Sequence, residues 1–291
     1  MAVLKALQLD NIADSNNHKK ISNEENDTII IDNRSFVRCL FDNLGLKHAV
    51  ITDTKITQSS LSFCYFRHAD LNNVDFTGSR FIGCDFEKAK LKLCNFRYCS
   101  FTNCRFDINE LISNLPAETN LRKSILSELR CNQLSIGDKI GADRLLLMEI
   151  DSERKLWWEE FLLRSSYFRE HARPWGRVNA LFCLLRSYFL TMIWGHGLRC
   201  KNIIFSAIFI VLMFSLMLYG IGQLSSSGEC YNQKTCFMQA FFLSASCFST
   251  LGFSDILPNS IIVRIILCTE GFLGAIFIAM LGAALYRKIA R

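Results

Sequence analysis

Large apolar residues recur at every fifth position through the first third of the chain. They stand at Ile31, Phe36, Phe41, Leu46, Ile51, Ile56, Leu61, Phe66, Leu71, Phe76, Phe81, Phe86, Leu91, Phe96, Phe101 and Phe106. Two residues before most of them stands a small one: Cys39, Ala49, Thr54, Ser59, Cys64, Ala69, Ser79, Cys84, Ala89, Cys94, Cys99 and Cys104, with Leu44 and Val74 the larger exceptions. This period is neither the two of a strand nor the 3.6 of a helix. It fits a four-sided coil in which each five-residue unit forms one side. The apolar residue points inward onto its equivalent in the next coil, and the small residue fills the corner. Successive coils then stack at strand spacing, roughly 4.8 Å, so residues 31–106 make about four coils and a solenoid roughly 18 Å tall.

After Phe106 the period stops, and Pro116 within a polar run marks a boundary. Residues 142–168 read as a helix with Leu146, Ile150, Trp157 and Phe161 on one face, ended by Arg173, Pro174, Trp175 and Gly176. Residues 181–194 are apolar and aromatic but interrupted by Arg186, too short and charged for a clear span. An interfacial helix on a membrane surface is the expectation; a buried helix packed against the base of the apolar C-terminal region is the alternative. Gly195, His196 and Gly197 break the chain. His196 reads as a turn residue, with pH sensing the less favoured role.

Two long apolar runs follow. Residues 203–224 carry no charge and cover about 33 Å as a helix, enough for a bilayer core. Residues 261–286 form the second, with Arg264 near one end and Glu270 further in. Basic residues set the orientation: Arg199 and Lys201 precede the first run, and Arg287, Lys288 and Arg291 follow the second. Both termini are therefore expected in the cytoplasm. Residues 237–248 are apolar and helix-length yet too short to cross, so they read as a re-entrant helix. The Gly-containing stretch after them belongs at membrane depth only if buried in protein or facing water.

The domains expected are a flexible lead over 1–30, a solenoid over 31–106, a cytoplasmic helical linker over 107–200 and a pore domain over 201–291. The chain's 13 cysteines are an odd number, which suits a disulfide framework poorly. The thiols of Cys94, Cys99 and Cys104 fall on successive sides of the coil and do not converge as a zinc site requires, so they are read as core. The formal charge of +6 does not by itself indicate nucleic-acid binding. The N-terminus lacks the apolar core of a secretory signal. No nucleophile–base pair, metal motif or phosphate loop points to an enzyme, and no cofactor is expected.

The units "ADLNN", "CDFEK" and "CNFRY" resemble the pentapeptide-repeat family, which implies a right-handed quadrilateral β-helix. Some members mimic DNA with an acidic surface. Residues 31–106 hold 11 Lys/Arg against 7 Asp/Glu, so a spacer or docking surface for an unidentified cytoplasmic protein or ligand is expected instead.

The order of span, short helix, "TLGFSD" and span resembles the two-transmembrane potassium-channel family. The resemblance implies a homotetramer in a membrane, with the bacterial inner membrane the expected location. It also implies a selectivity filter over residues 250–254. Thr250, Leu251, Gly252 and Phe253 would aim carbonyls at the axis in place of an ion's water. Ser254 replaces the family's second glycine, which leaves sodium open beside potassium as the permeant cation. Asp255 either concentrates cations at the mouth or ties the filter to its surroundings. Glu270 is read as a brace behind the filter, bonded to pore-loop backbone or to Arg264, or as a gating group. Gly271 and Gly274 are hinge or close-packing positions. Cys230 and Cys236 could form a disulfide if that side is oxidising. The rival reading is a membrane-anchored scaffold with a non-conducting loop.

Overall fold

The five-residue period closes into a coil that returns every twenty residues. The computed structural model describes residues 16–17, 20–25, 29–164, 166–170, 174–198, 200–221, 224–226, 237–252, 256–258 and 260–289. Strands pair in parallel with the strand one coil on: Ile31 lies opposite Ile51 and Ile51 opposite Leu71, while Phe41 lies opposite Leu61 and Phe81 opposite Phe101. The strands stack into separate columns, one for each side of the coil. Inward residues stack ring on ring, as in Phe66–Phe86 at 4.6 Å and Phe81–Phe101 at 5.2 Å between centroids. The small residues of the pattern are buried beside them, the six cysteines from Cys39 to Cys104 included.

At each corner the backbone turns left-handed once. The series runs every fifth residue from Asn33 to Asn103. Asn, Asp and Gly suit that conformation, but Phe63, Leu93 and Tyr98 adopt it too. Repeated pairing above and below holds them there.

The solenoid also begins earlier than expected. Lys20–Glu25 is a strand paired with Leu40–Gly45, and Ile21 is buried opposite Phe41. The reading of 1–30 as a flexible lead therefore fails for this segment. Ile21 is in phase with the period, but Asn26 stands where the next apolar residue should and hides the continuation.

Beyond Phe106 the last coil would leave a row of unpaired strand groups, an edge open to further pairing. Helix α1 (Ile108–Ser113) and helix α2 (Thr119–Ser135) cover it. Asn114 accepts from the Cys94 N–H at 2.8 Å and donates to the Leu91 carbonyl at 2.9 Å. Asn132 does the same for Cys104, at 2.8 and 2.7 Å. Leu111, Ile125, Leu126 and Leu129 continue the apolar core of the coils.

Helix α3 (Lys139–Phe161) lies along α2, joined by the ion pairs Lys123–Glu153 and Arg130–Glu149, both at 2.8 Å. Two expectations change here. The helix ends at Phe161 rather than at residue 168. Its buried face runs through Ala142, Leu145 and Ser152, whereas Leu146, Ile150, Trp157 and Phe161 are only half-buried. Pro174 does not end a helix either. After the short α4 (Ser166–Glu170) it opens α5 (Pro174–Ile193), at the first helical position, where a missing N–H costs nothing.

The chain divides into two units, Met1–Leu181 and Phe182–Arg291. In the second, Gly195, His196 and Gly197 are all left-handed. The His196 ring bonds the Thr191 hydroxyl at 2.8 Å, which suits a turn residue. Helix α6 (Cys200–Ile221) is the first apolar run, three residues earlier at each end than the expected 203–224. Leu224–Ser226 instead forms a short antiparallel pair with Ile256–Pro258. Helix α7 (Phe237–Phe248) and helix α8 (Ile261–Ile289) complete the unit. By length and composition, α6 and α8 suffice to cross a membrane.

Candidate ion-conducting site

Three helices of one chain hold the segment after α7. Helix α7 packs between α6 and α8 through Ala240 and Leu243, which meet Leu218, Val263 and Ile266 in one apolar cluster. Alpha-8 passes the end of α7 so closely that a Cβ on Gly274 would collide with the Phe248 carbonyl. On Gly271 a Cβ would stand 3.6 Å from the Cys247 carbonyl, an ordinary contact. The structure thus gives Gly274 a packing role within a continuous helix.

The chain leaves α7 by alternating handedness. Thr250 has φ 58° and Gly252 has φ 68°, with Leu251 between them on the ordinary side. The Leu251 and Gly252 N–H groups both donate to the Ser246 carbonyl, at 3.1 and 3.2 Å. A trans peptide points its carbonyl opposite its N–H. The Thr250 and Leu251 carbonyls, which share peptide planes with those N–H groups, therefore face away from α7. Alternating left- and right-handed residues align successive peptide dipoles in this way. Thr250, Leu251 and Gly252 are exposed in the single chain, Leu251 at 64%. A row of carbonyls is thus presented outward on a braced backbone. Phe253, Ser254, Asp255, Cys230 and Cys236, expected at the filter, its mouth and a disulfide, lie outside the described residues.

Glu270 is fully buried on α8, and the Ser244 hydroxyl bonds its Oε1. Ser244 also stands 3.0 Å from the Val211 carbonyl of α6, so one serine joins three helices. Among the described residues the partner of Glu270 is the side chain of Ser244 on α7. Its Oε2 has no hydrogen-bond partner among the described residues.

Sequence reasoning missed Ser244 and Ser246. For Ser244 the available signal was a hydroxyl within the apolar helix α7; Ser246 acts through its backbone carbonyl, which no residue type marks. Polar side chains at membrane depth need partners.

Comparison with known proteins separates the two units. Residues 59–97 match the family model for pentapeptide repeats, in eight copies. Residues 202–291 match the family model described as ion channel. The two models match 39 and 90 of the 291 residues, so the likeness is of two segments, one to pentapeptide repeats and one to an ion channel. The ion-channel match and two apolar helices of crossing length point to a membrane. Neither family is an enzyme family. Among solved structures the chain is similar to two trypsin-treated variants of QnrB1, a plasmid-mediated fluoroquinolone resistance protein. Both are 17% identical, over 31% and 32% of this chain and 60% and 57% of theirs, with TM-scores of 0.12 and 0.11. The chain thus spans less than two thirds of those structures. No curated protein matches.

Proposed function

We propose that four copies of the chain form a cation channel, potassium-permeable, with both termini in the cytoplasm and gating governed by the solenoid. One observation carries this: the Leu251 and Gly252 N–H groups are tied to Ser246, which turns the Thr250 and Leu251 carbonyls away from α7. One chain cannot surround an ion with that row, whereas four around an axis could replace its hydration. The C-terminal end of α7 would add favourable negative potential for a cation.

Helix α5 supports an interfacial role. Trp175, Val178, Phe182, Leu185, Phe189 and Met192 recur on one stripe and are all exposed. A helix of this kind would lie on the bilayer surface. The unidentified stimulus, a protein or a ligand, would act on the solenoid, and the response would be a shift between closed and open arrangements of α8.

The deciding experiment is recording from purified protein in planar bilayers with mixed potassium and sodium. Unitary cation currents with a potassium-favouring reversal potential are expected. An intact tetramer without current under any stimulus would favour the membrane-anchored scaffold. Ser254→Gly should raise the potassium preference, and an unchanged ratio would refute the role given to that position.

A further inference from the structure

We infer that the last coil of the solenoid docks on an anionic bilayer surface, with Leu93 entering the headgroup layer beside a row of lysines. The inference rests on the membrane reading of the ion-channel unit and on the cytoplasmic place proposed for the solenoid, and not on conduction.

The charge of the solenoid is unevenly spread. Residues 31–87 hold six Lys/Arg against seven Asp/Glu, whereas residues 88–106 hold five Lys/Arg and no acid. The capping helices account for Arg97, which bonds Glu118 at 2.5 Å. Lys88, Lys90 and Lys92 are exposed and have no ion pair or hydrogen bond among the described residues. Acids nearby are engaged elsewhere. Glu87 pairs with Arg67 at 3.3 Å, and Glu110 accepts from the Leu91 N–H at 3.1 Å. Asp70 lies opposite Lys90 in the strand register, without an ion pair between them.

The coil puts the three lysines and a leucine in one row. Ala89 and Leu91 are buried in the core, so Lys90 and Lys92 project outward between them. The corners at the two ends of this side are Lys88 and Leu93, both left-handed, with φ 58° and 53°. Leu93 is 79% exposed. Asn, Asp or Gly adopts that conformation more readily than leucine, and so exposed a leucine gains little packing within the chain in return. A costly corner with little return inside the chain points to a contact outside it.

The shape selects a bilayer over a peptide. A peptide needs a groove or an open strand edge. The edge beside this row is closed, because the Leu91 N–H goes to Glu110 and the Leu91 carbonyl accepts from Asn114 at 2.9 Å. The row itself is convex, one side of a coil between two corners. A fluid surface meets such a row well: lipid phosphates settle on the ammonium groups, and the leucine inserts at the boundary of headgroup and acyl chain. Because the solenoid and the pore unit share one chain, weak docking suffices.

Photocrosslinking of the full chain tests this in vesicles of phosphatidylglycerol with phosphatidylcholine, or of phosphatidylcholine alone. Leu93→p-benzoylphenylalanine should carry a lipid adduct after irradiation, read by mass spectrometry. The yield should be about fivefold greater with phosphatidylglycerol present. Leu40→p-benzoylphenylalanine, 53% exposed on the opposite side of the coil, should carry none. Adding Lys90→Gln and Lys92→Gln to the Leu93 variant should cut its yield about threefold or more. Salt at about 0.5 M should do the same by screening, and it decides the charge dependence if the lysine variant does not fold. No adduct at position 93, equal yields at 93 and 40, or a yield indifferent to phosphatidylglycerol and salt overturns the surface. A crosslink from position 93 to a second copy of the chain overturns the bilayer as its occupant. Wild type that does not float with the vesicles refutes the membrane reading instead. Adducts are read without current, so a silent channel that carries them refutes only conduction. A conducting channel with none at position 93 refutes only this surface.

Discussion

The solenoid and the pore unit are both rich in phenylalanine, in opposite surroundings. Phe66, Phe76, Phe81 and Phe86 are 0–1% exposed, whereas Phe205, Phe209, Phe242 and Phe272 are 54–76% exposed. The coil supplies each of its rings with partners from the same chain. The pore unit buries a thin seam where α6, α7 and α8 meet and leaves the rest apolar and open. Patches of that extent mark surfaces that meet something else, here hydrocarbon and, on our reading, further copies of the chain. The solenoid's stability is thus a property of one chain, whereas the proposed filter would need an assembly.

The comparison breaks most sharply at Gly252. Its left-handed backbone would cost an alanine about 1–2 kcal/mol per chain, about 4–8 kcal/mol for four copies, and would loosen the bond to Ser246. Gly252→Ala should abolish unitary current in bilayers while leaving the solenoid's unfolding transition in place. Persistent wild-type conductance would remove the filter from this segment. Phe81→Ala is the counterpart in the other unit. It deletes a ring stacked on Phe101 and edge-on to Phe76 and Phe86. A loss of about 3–5 kcal/mol is expected in denaturant unfolding followed by β-sheet circular dichroism. Reversal potentials should be unchanged, while a changed open probability would show that the solenoid controls the gate.

The period-five pattern revealed most of the solenoid because every repeat reports the same environment. It failed where the pattern changed partner. Ile21 was hidden by Asn26, and nothing in the sequence around Asn114 and Asn132 sets them apart. Their function is to imitate the next coil, which depends on where α1 and α2 fold back and has no local signature. The helix α3 was legible, but its face was misjudged by one residue because aromatic side chains attract the assignment. In the pore unit, "TLGF" indicated carbonyl ligands through Gly252. Ser246 was not legible, since its contribution is a backbone carbonyl and any residue carries one.

A smaller effect distinguishes packing glycines from spacing glycines within α8. Gly274→Ala pushes a methyl into the Phe248 carbonyl and should cost about 1–3 kcal/mol. Gly282 has no atom within 4 Å of a built Cβ, so Gly282→Ala should stabilise the helix by up to about 1 kcal/mol. Thermal unfolding in detergent measures both. If the two variants behaved alike, the close approach of α8 to α7 would not be a determinant of stability.

The subtlest contrast lies in the cysteines of the coil. Burial pushes the Cys99 thiol from about 9 up to about 12, and the Cys94 thiol up to about 11. The Cys99 thiol donates to the Phe76 carbonyl one coil away, at 3.0 Å. The charged form is the thiolate, so the folded state keeps its proton longer than the unfolded chain. Below about pH 9 both states are protonated and stability does not depend on this group. Above it the unfolded chain ionises first, and stability falls by up to about 1.4 kcal/mol per pH unit until the folded thiol also ionises. Cys99→Ala should therefore flatten the decline of the denaturant midpoint between pH 9 and 10 relative to wild type, even though it starts from a lower value. An equal slope would mean that Cys99 reaches water in the folded coil. Iodoacetamide gives an independent reading at pH 8: it should label the exposed Cys131 while Cys99 stays protected until the coil unfolds.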